Sequence, residues 1–201
     1  MKPAALGFAP HSGWAAVVAL GGPGPELLHR GRLEMTDGAL PGAAQPYHAL
    51  EGQPLPQAAR RLARYQAAAA RLARTGLRQV LAALEKQGYA PRAAGILASS
   101  GRQGSSLAAI LAAHPLIHTA DGEHFRDALA FAGRQHGVRV ARIREKDLVE
   151  QAAKALGRSA PALQAAVAAW GKPLGPPWTQ DQKLSALGGW LGLALPPASY
   201  S

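Results

Sequence analysis

The chain has 201 residues, 48% of them hydrophobic but only 5% aromatic, enough for one substantial domain whose core is packed by Ala, Leu and other small side chains. It contains no cysteine, which excludes disulfides, thiolate metal sites and a cysteine nucleophile. Lys and Arg number 22 against 12 Asp and Glu, a formal charge of +10 that suits a polyanionic partner such as nucleic acid or an anionic membrane, and that an arginine-rich composition would also produce by itself. No signal-like apolar run follows Met1-Lys2-Pro3, and no stretch approaches the roughly 18 apolar residues of a membrane span. The expectation is a soluble cytoplasmic chain with a single domain over residues 1–195 and a disordered tail over 196–201.

In chain order, Ala4–Phe8 and Trp14–Leu20 read as two strands joined by a Gly/Pro/Ser turn that carries His11 and Ser12. Gly21–Pro25 is a second turn, and Leu27–Met35 alternates with an imperfect period of two, so three consecutive antiparallel strands are expected. Asp37–Pro56 is a Gly/Pro-rich connection of unusual length for a compact domain, either functional or mobile. It contains Tyr47, His48 and Glu51, which read as a lid or as ordinary loop residues.

Gln57–Gln87 carries the longest helical pattern, stopped by Gly88. At about 100° per residue, Leu62, Tyr65, Ala69, Leu72, Leu77, Val80, Leu81 and Leu84 share one side. Arg60, Arg64, Arg71, Arg74 and Arg78 fall within an arc of roughly 80° on the other. That stripe is either a solvated face or a ridge for phosphates, since guanidinium groups pair well with phosphate oxygens.

Ala93–Ala98 reads as a short buried strand bounded by Pro91-Arg92. The turn Gly101–Ser106 then opens a short helix through about Ala113, either as a simple cap or as an anion cradle, and it lacks the Lys and the spacing of a P-loop. His114, His118, Asp121, Glu123 and His124 follow as the densest set of metal-capable or acid/base side chains. Pro115 disfavours a helical conformation at His114, so a two-histidine helix site is not expected; Thr119, Asp121 and Glu123 read as caps and first-turn residues of a helix over Ala120–Gln135, or as members of a catalytic or metal site.

After Gly137, Val138–Ile143 suggests a strand returning to the sheet by a βαβ crossover. Asp147–Leu156 and Ser159–Trp170 are two more helices, and Gly171–Trp178 is a Pro/Gly loop. Thr179 and Gln182 form a capping box for a last helix, in which Leu184, Leu187 and Leu191 share a side while Ala186, Gly188 and Gly189 permit close approach of another backbone.

Three strands, a long helix, a strand, a helix, a strand and a C-terminal helix follow the ribonuclease H-like order. Gly7-Phe8-Ala9-Pro10-His11-Ser12-Gly13 and Ser185-Ala186-Leu187 stand where the crossover-junction resolvase branch carries Gly-x-Asp-Pro-Gly and Asp-Ala-Leu, so the chain resembles that branch over roughly residues 4 to 194. The resemblance implies an α/β fold, with a mixed five-stranded sheet of three antiparallel strands and then two parallel ones, flanked by helices. It also implies two divalent metals held by carboxylates on the first strand, the fourth strand and the last helix. Here those places read Ala9, Leu97-Ala98-Ser99 and Ser185, with Asp181 the only nearby acid, so the two-metal nuclease activity is expected to be absent.

Two functions remain open. One is a non-catalytic, pseudo-nuclease module without cofactor that binds nucleic acid, or a protein working on it, through Arg60 to Arg78. The other is a hydrolase or phosphoesterase with a rebuilt active site using His11, His114, His118, Asp121 or Glu123, and only there is a divalent metal expected. Convergence of His11, His114 and His118 in one pocket would favour the second, and their separation the first.

Overall fold

The computed structural model describes residues 1–101, 104 and 106–194. The expected tail over 196–201 and residues 102, 103 and 105 of the Gly101–Ser106 turn lie outside the described residues. Five strands, β1 (Lys2–His11), β2 (Trp14–Gly21), β3 (Glu26–Glu34), β4 (Tyr89–Ala98) and β5 (Arg139–Arg144), form one sheet in the order β3-β2-β1-β4-β5. The first three pair antiparallel, while β4 pairs parallel to β1 and β5 parallel to β4, which is the expected mixed sheet. β1 and β2 occupy the interior and are buried on both faces, hence their almost uninterrupted Ala, Val and Leu content. The edge strands carry the charge: Glu26, Arg30, Arg32 and Glu34 on β3, and Arg139, Arg142 and Arg144 on β5.

Side chains alternate across the sheet. Leu6 and Phe8 of β1 face α1 (Leu55–Lys86) and α3 (His114–Gln135), packing with Leu77, Leu84, Phe125 and Leu129. Ala9 lies on the opposite face with Leu187, Trp190 and Leu191 of α6 (Gln180–Ala194), and α4 (Leu148–Leu156) and α5 (Ala160–Gly171) complete that layer. A Cβ on Gly7 would stand 1.7 Å from the Ser185 carbonyl oxygen and 2.7 Å from the Gly189 nitrogen, so strand and helix meet backbone to backbone. The capping box also forms, the Thr179 N–H donating to Gln182 Oε1 (3.0 Å) and the Gln182 N–H to Thr179 Oγ1 (3.3 Å).

Two expected boundaries are corrected. β4 begins at Tyr89, not Ala93: Ala4 pairs with Pro91 and Ala5 with Ala93, so Arg92 is an extra residue in a bulge, a place where a sheet tolerates proline. α3 begins at His114, not Ala120, because Pro115 sits in its first turn, where the missing N–H has no helical partner to lose. Thr119, Asp121 and Glu123 are therefore interior helix residues, not caps.

α1 is 32 residues and about 48 Å long, and its first turns carry a core of their own. Ala43 and Leu50 of the 37–56 connection are buried against Ala58, Leu62 and Tyr65, with Leu107 and Leu111 of α2 (Leu107–Leu111) alongside. The Tyr65 hydroxyl donates to Pro41 O at 2.6 Å. The connection is thus docked on the helices by buried apolar side chains and directed hydrogen bonds.

Candidate nucleic-acid interface and the strand-end cleft

Parallel β1, β4 and β5 end on one rim, where α3 and α6 begin. At the end of β1, the His11 imidazole stacks on Trp14 (centroids 4.3 Å apart, planes 13° apart), and the Arg32 guanidinium stands 4.1 Å from the Trp14 ring centroid. His11 Nε2 lies 3.2 Å from Asp181 Oδ2 in the first turn of α6. Ser185 is fully buried and its hydroxyl donates to Ala16 O at 3.4 Å, while Ala9 is buried among apolar side chains. Ala9 and Ser185 thus lie against apolar side chains and backbone, and Asp181, four residues before Ser185 on α6, is paired with His11.

Glu123 faces the end of β4 in an ionic network. Its Oε2 is 2.8 Å from Arg142 Nη1 and its Oε1 is 3.4 Å from both Arg126 Nη1 and the Ser99 hydroxyl. Arg142 also pairs with Asp127, and Arg126 Nε donates to Leu97 O at 2.9 Å, so these groups lock α3 onto β4 and β5. Burial lowers the Arg126 pKa, an effect that Glu123 opposes.

His114 and His118 project from successive turns of α3 with their Nε2 atoms 3.0 Å apart. His48, in a short 3-10 turn over His48–Leu50, joins them with its ring centroid 4.5 Å from that of His118 and 5.2 Å from that of His114. Its Nδ1 is held by the buried Asp121 carboxylate, which also accepts the Tyr47 N–H at 2.7 Å. His11 belongs to the Asp181 pair and is not a member of this group, so the candidate histidines divide between two places. The sequence offers His48 only as a lid or loop residue; the signal for the group is the His114-Pro115-x-x-His118 spacing, once Pro115 is read as a first-turn residue.

The five arginines of the stripe are all exposed along α1. Among the described residues only Arg71 of the five makes an ion pair, at 3.0 Å to Asp37. Arg74 and Arg78 line a cavity of about 270 Å³ with Thr75, Gln135 and His136, where α1 meets the C-terminal end of α3. His136 Nε2 lies 3.2 Å from Arg74 O. On α3, burial pushes His124 down to a pKa of about 4, against the opposing effect of Asp127, and among the described residues its Nε2 has no hydrogen-bond partner.

No protein-family model and no curated protein sequence matches this chain. Among solved structures, Thermus thermophilus RuvC in complex with a Holliday junction substrate superposes with a TM-score of 0.50 at 11% identity, covering 94% of this chain and 90% of that one. A further Thermus thermophilus RuvC structure is 14% identical with a TM-score of 0.49, over 95% of this chain and 92% of that one. At such identity the likeness is one of fold, and the fold is the ribonuclease H-like mixed sheet flanked by helices.

Proposed function

We propose that this chain is a non-catalytic ribonuclease H-like module that binds nucleic acid through the arginine face of α1. The observation that carries the reading is the row Arg60, Arg64, Arg71, Arg74 and Arg78, exposed along one side of a helix whose other side is core. From Arg60 to Arg78 the row spans about 27 Å of helix axis, enough to follow a phosphate backbone. Guanidinium groups suit that partner because they pair with phosphate oxygens through two parallel hydrogen bonds. The formal charge of +10 adds long-range attraction for any polyanion. The structural neighbour that binds a Holliday junction gives branched DNA a place among the ligands to try.

The non-catalytic half of the proposal rests on the donor set at the rim. Two hard divalent cations need several oxygen ligands. Ala9 and Ser185 are buried in apolar or backbone surroundings, and Asp181 is engaged by His11. That set does not fit a two-metal site. The test is titration of labelled duplex, single-stranded and four-way branched DNA by fluorescence anisotropy at low and moderate salt. Binding is expected at low salt, weaker at higher salt, and lost in the Arg64→Glu/Arg71→Glu/Arg74→Glu variant. Incubation of the bound DNA with Mg2+ or Mn2+ is expected to leave it intact. Absence of binding at low salt would refute the proposal, and cleavage would refute its non-catalytic half.

A further inference from the structure

We propose that His48, His114 and His118 form a binding site for a divalent transition metal of the zinc class, clamping the 37–56 connection to the head of α3. The three imidazoles each offer one nitrogen, and these atoms all lie within 4.8 Å of one another. Two ligand nitrogens on a tetrahedral zinc, each 2.0–2.1 Å from the metal, stand about 3.3 Å apart. His114 Nε2 and His118 Nε2, at 3.0 Å, need only a slight opening to reach that separation.

The outer contacts point the same way. His48 Nδ1 is held by Asp121, which leaves Nε2 as its free ligand atom, and His114 Nδ1 lies 3.5 Å from Glu51 Oε1, leaving Nε2 facing His118. A carboxylate on the far nitrogen of a histidine fixes the tautomer and ring orientation and raises ligand basicity, the usual support of a metal-bound imidazole. Asp121 is itself anchored, 5% exposed and accepting the Tyr47 N–H. Imidazole nitrogens select zinc, nickel, cobalt or copper over magnesium and calcium, which prefer oxygen. His114 and His118 are exposed and His48 is half-buried, so an ion reaches the site from solvent and a water completes the fourth position.

Nothing in this proposal depends on nucleic-acid binding, and its test uses no DNA. Full-length protein without an affinity tag, stripped with chelator, is titrated with Zn2+ against a chromophoric competitor, and with Co2+ while visible absorbance reports coordination. One equivalent of Zn2+ is expected to bind at micromolar concentration or below, and Co2+ to give intense tetrahedral d–d bands. His114→Gln and His118→Gln change exposed side chains, so the fold survives them, and each is expected to weaken binding at least 100-fold. His48→Gln distinguishes a three-ligand site from an ordinary pair of histidines one helical turn apart, and an equal loss is expected. His29→Gln, on β3, serves as the control and is expected to bind as the parent does. No stoichiometric binding at 100 µM Zn2+, or a His48→Gln variant that binds as tightly as the parent, would overturn the proposal.

Discussion

His11 at the end of β1 and Asp181 in the first turn of α6 meet with 3.2 Å between Nε2 and Oδ2, so an acid four residues before Ser185 is paired with a histidine two residues beyond Ala9. Their side chains are 41% and 33% exposed, a setting in which an ion pair contributes less than about 1 kcal/mol. Asp181→Asn is therefore expected to lower the denaturant midpoint slightly and to leave DNA affinity unchanged. Equilibrium unfolding and anisotropy on the same variant check both halves. A large loss of DNA affinity would place Asp181 in the interface.

The packing of α6 on β1 and β4 predicts opposite outcomes for two glycines. A methyl on Gly7 would overlap the Ser185 carbonyl, backbone that cannot move without shifting the helix, so Gly7→Ala is expected to cost about 3 kcal/mol or more. A methyl on Gly188 meets only Gly95 O, at 3.8 Å. Gly188→Ala is expected to be neutral or to stabilise by up to about 1 kcal/mol through helix propensity. Urea unfolding of both variants decides this, and equal destabilisation would contradict the described packing.

His124 makes stability pH-dependent. Its pKa falls from 6.5 to about 4 because burial disfavours the charged ring, so the folded state binds a proton less readily than the unfolded state. Its contribution is complete above about pH 6.5 and is lost as pH falls toward 4, with a total of about 3 kcal/mol. His124→Leu, which removes both the titration and the unpartnered Nε2, is expected to flatten the stability profile over that window. Unfolding free energies measured at intervals from pH 4.5 to 7.5 test the sign. A parent protein that gains stability on acidification would contradict it.

Much of this fold is written in local patterns. The alternation and Gly/Pro turns of the first 35 residues mark the three antiparallel strands, and the apolar side of residues 57–87 marks the long helix to within two residues of its start. Gly188 and Gly189 announce the close approach of α6, though not that they meet Gly95 and Gly7 respectively. The errors arise where a proline has two permitted contexts. Pro91 reads as a strand boundary but lies in a bulge, and Pro115 reads as a helix breaker but lies in a first turn. The second error hid the histidine group, because His48 approaches His114 and His118 only through docking of the 37–56 connection, a tertiary contact with no local periodicity. Glu123 presents the same difficulty: its partner Arg142 comes from β5, 19 residues further on.

The arginine face of α1 is tested most directly by the salt dependence of duplex binding. Each phosphate contact releases condensed counterions, so five arginines engaging five phosphates give a slope of log Kobs against log salt of about −4.5, and each Arg→Gln substitution within the row reduces its magnitude by about 0.9. A stepwise decrease is expected through Arg64→Gln, Arg64→Gln/Arg74→Gln and Arg64→Gln/Arg74→Gln/Arg78→Gln. A slope that stays at the parent value through the triple variant would contradict it.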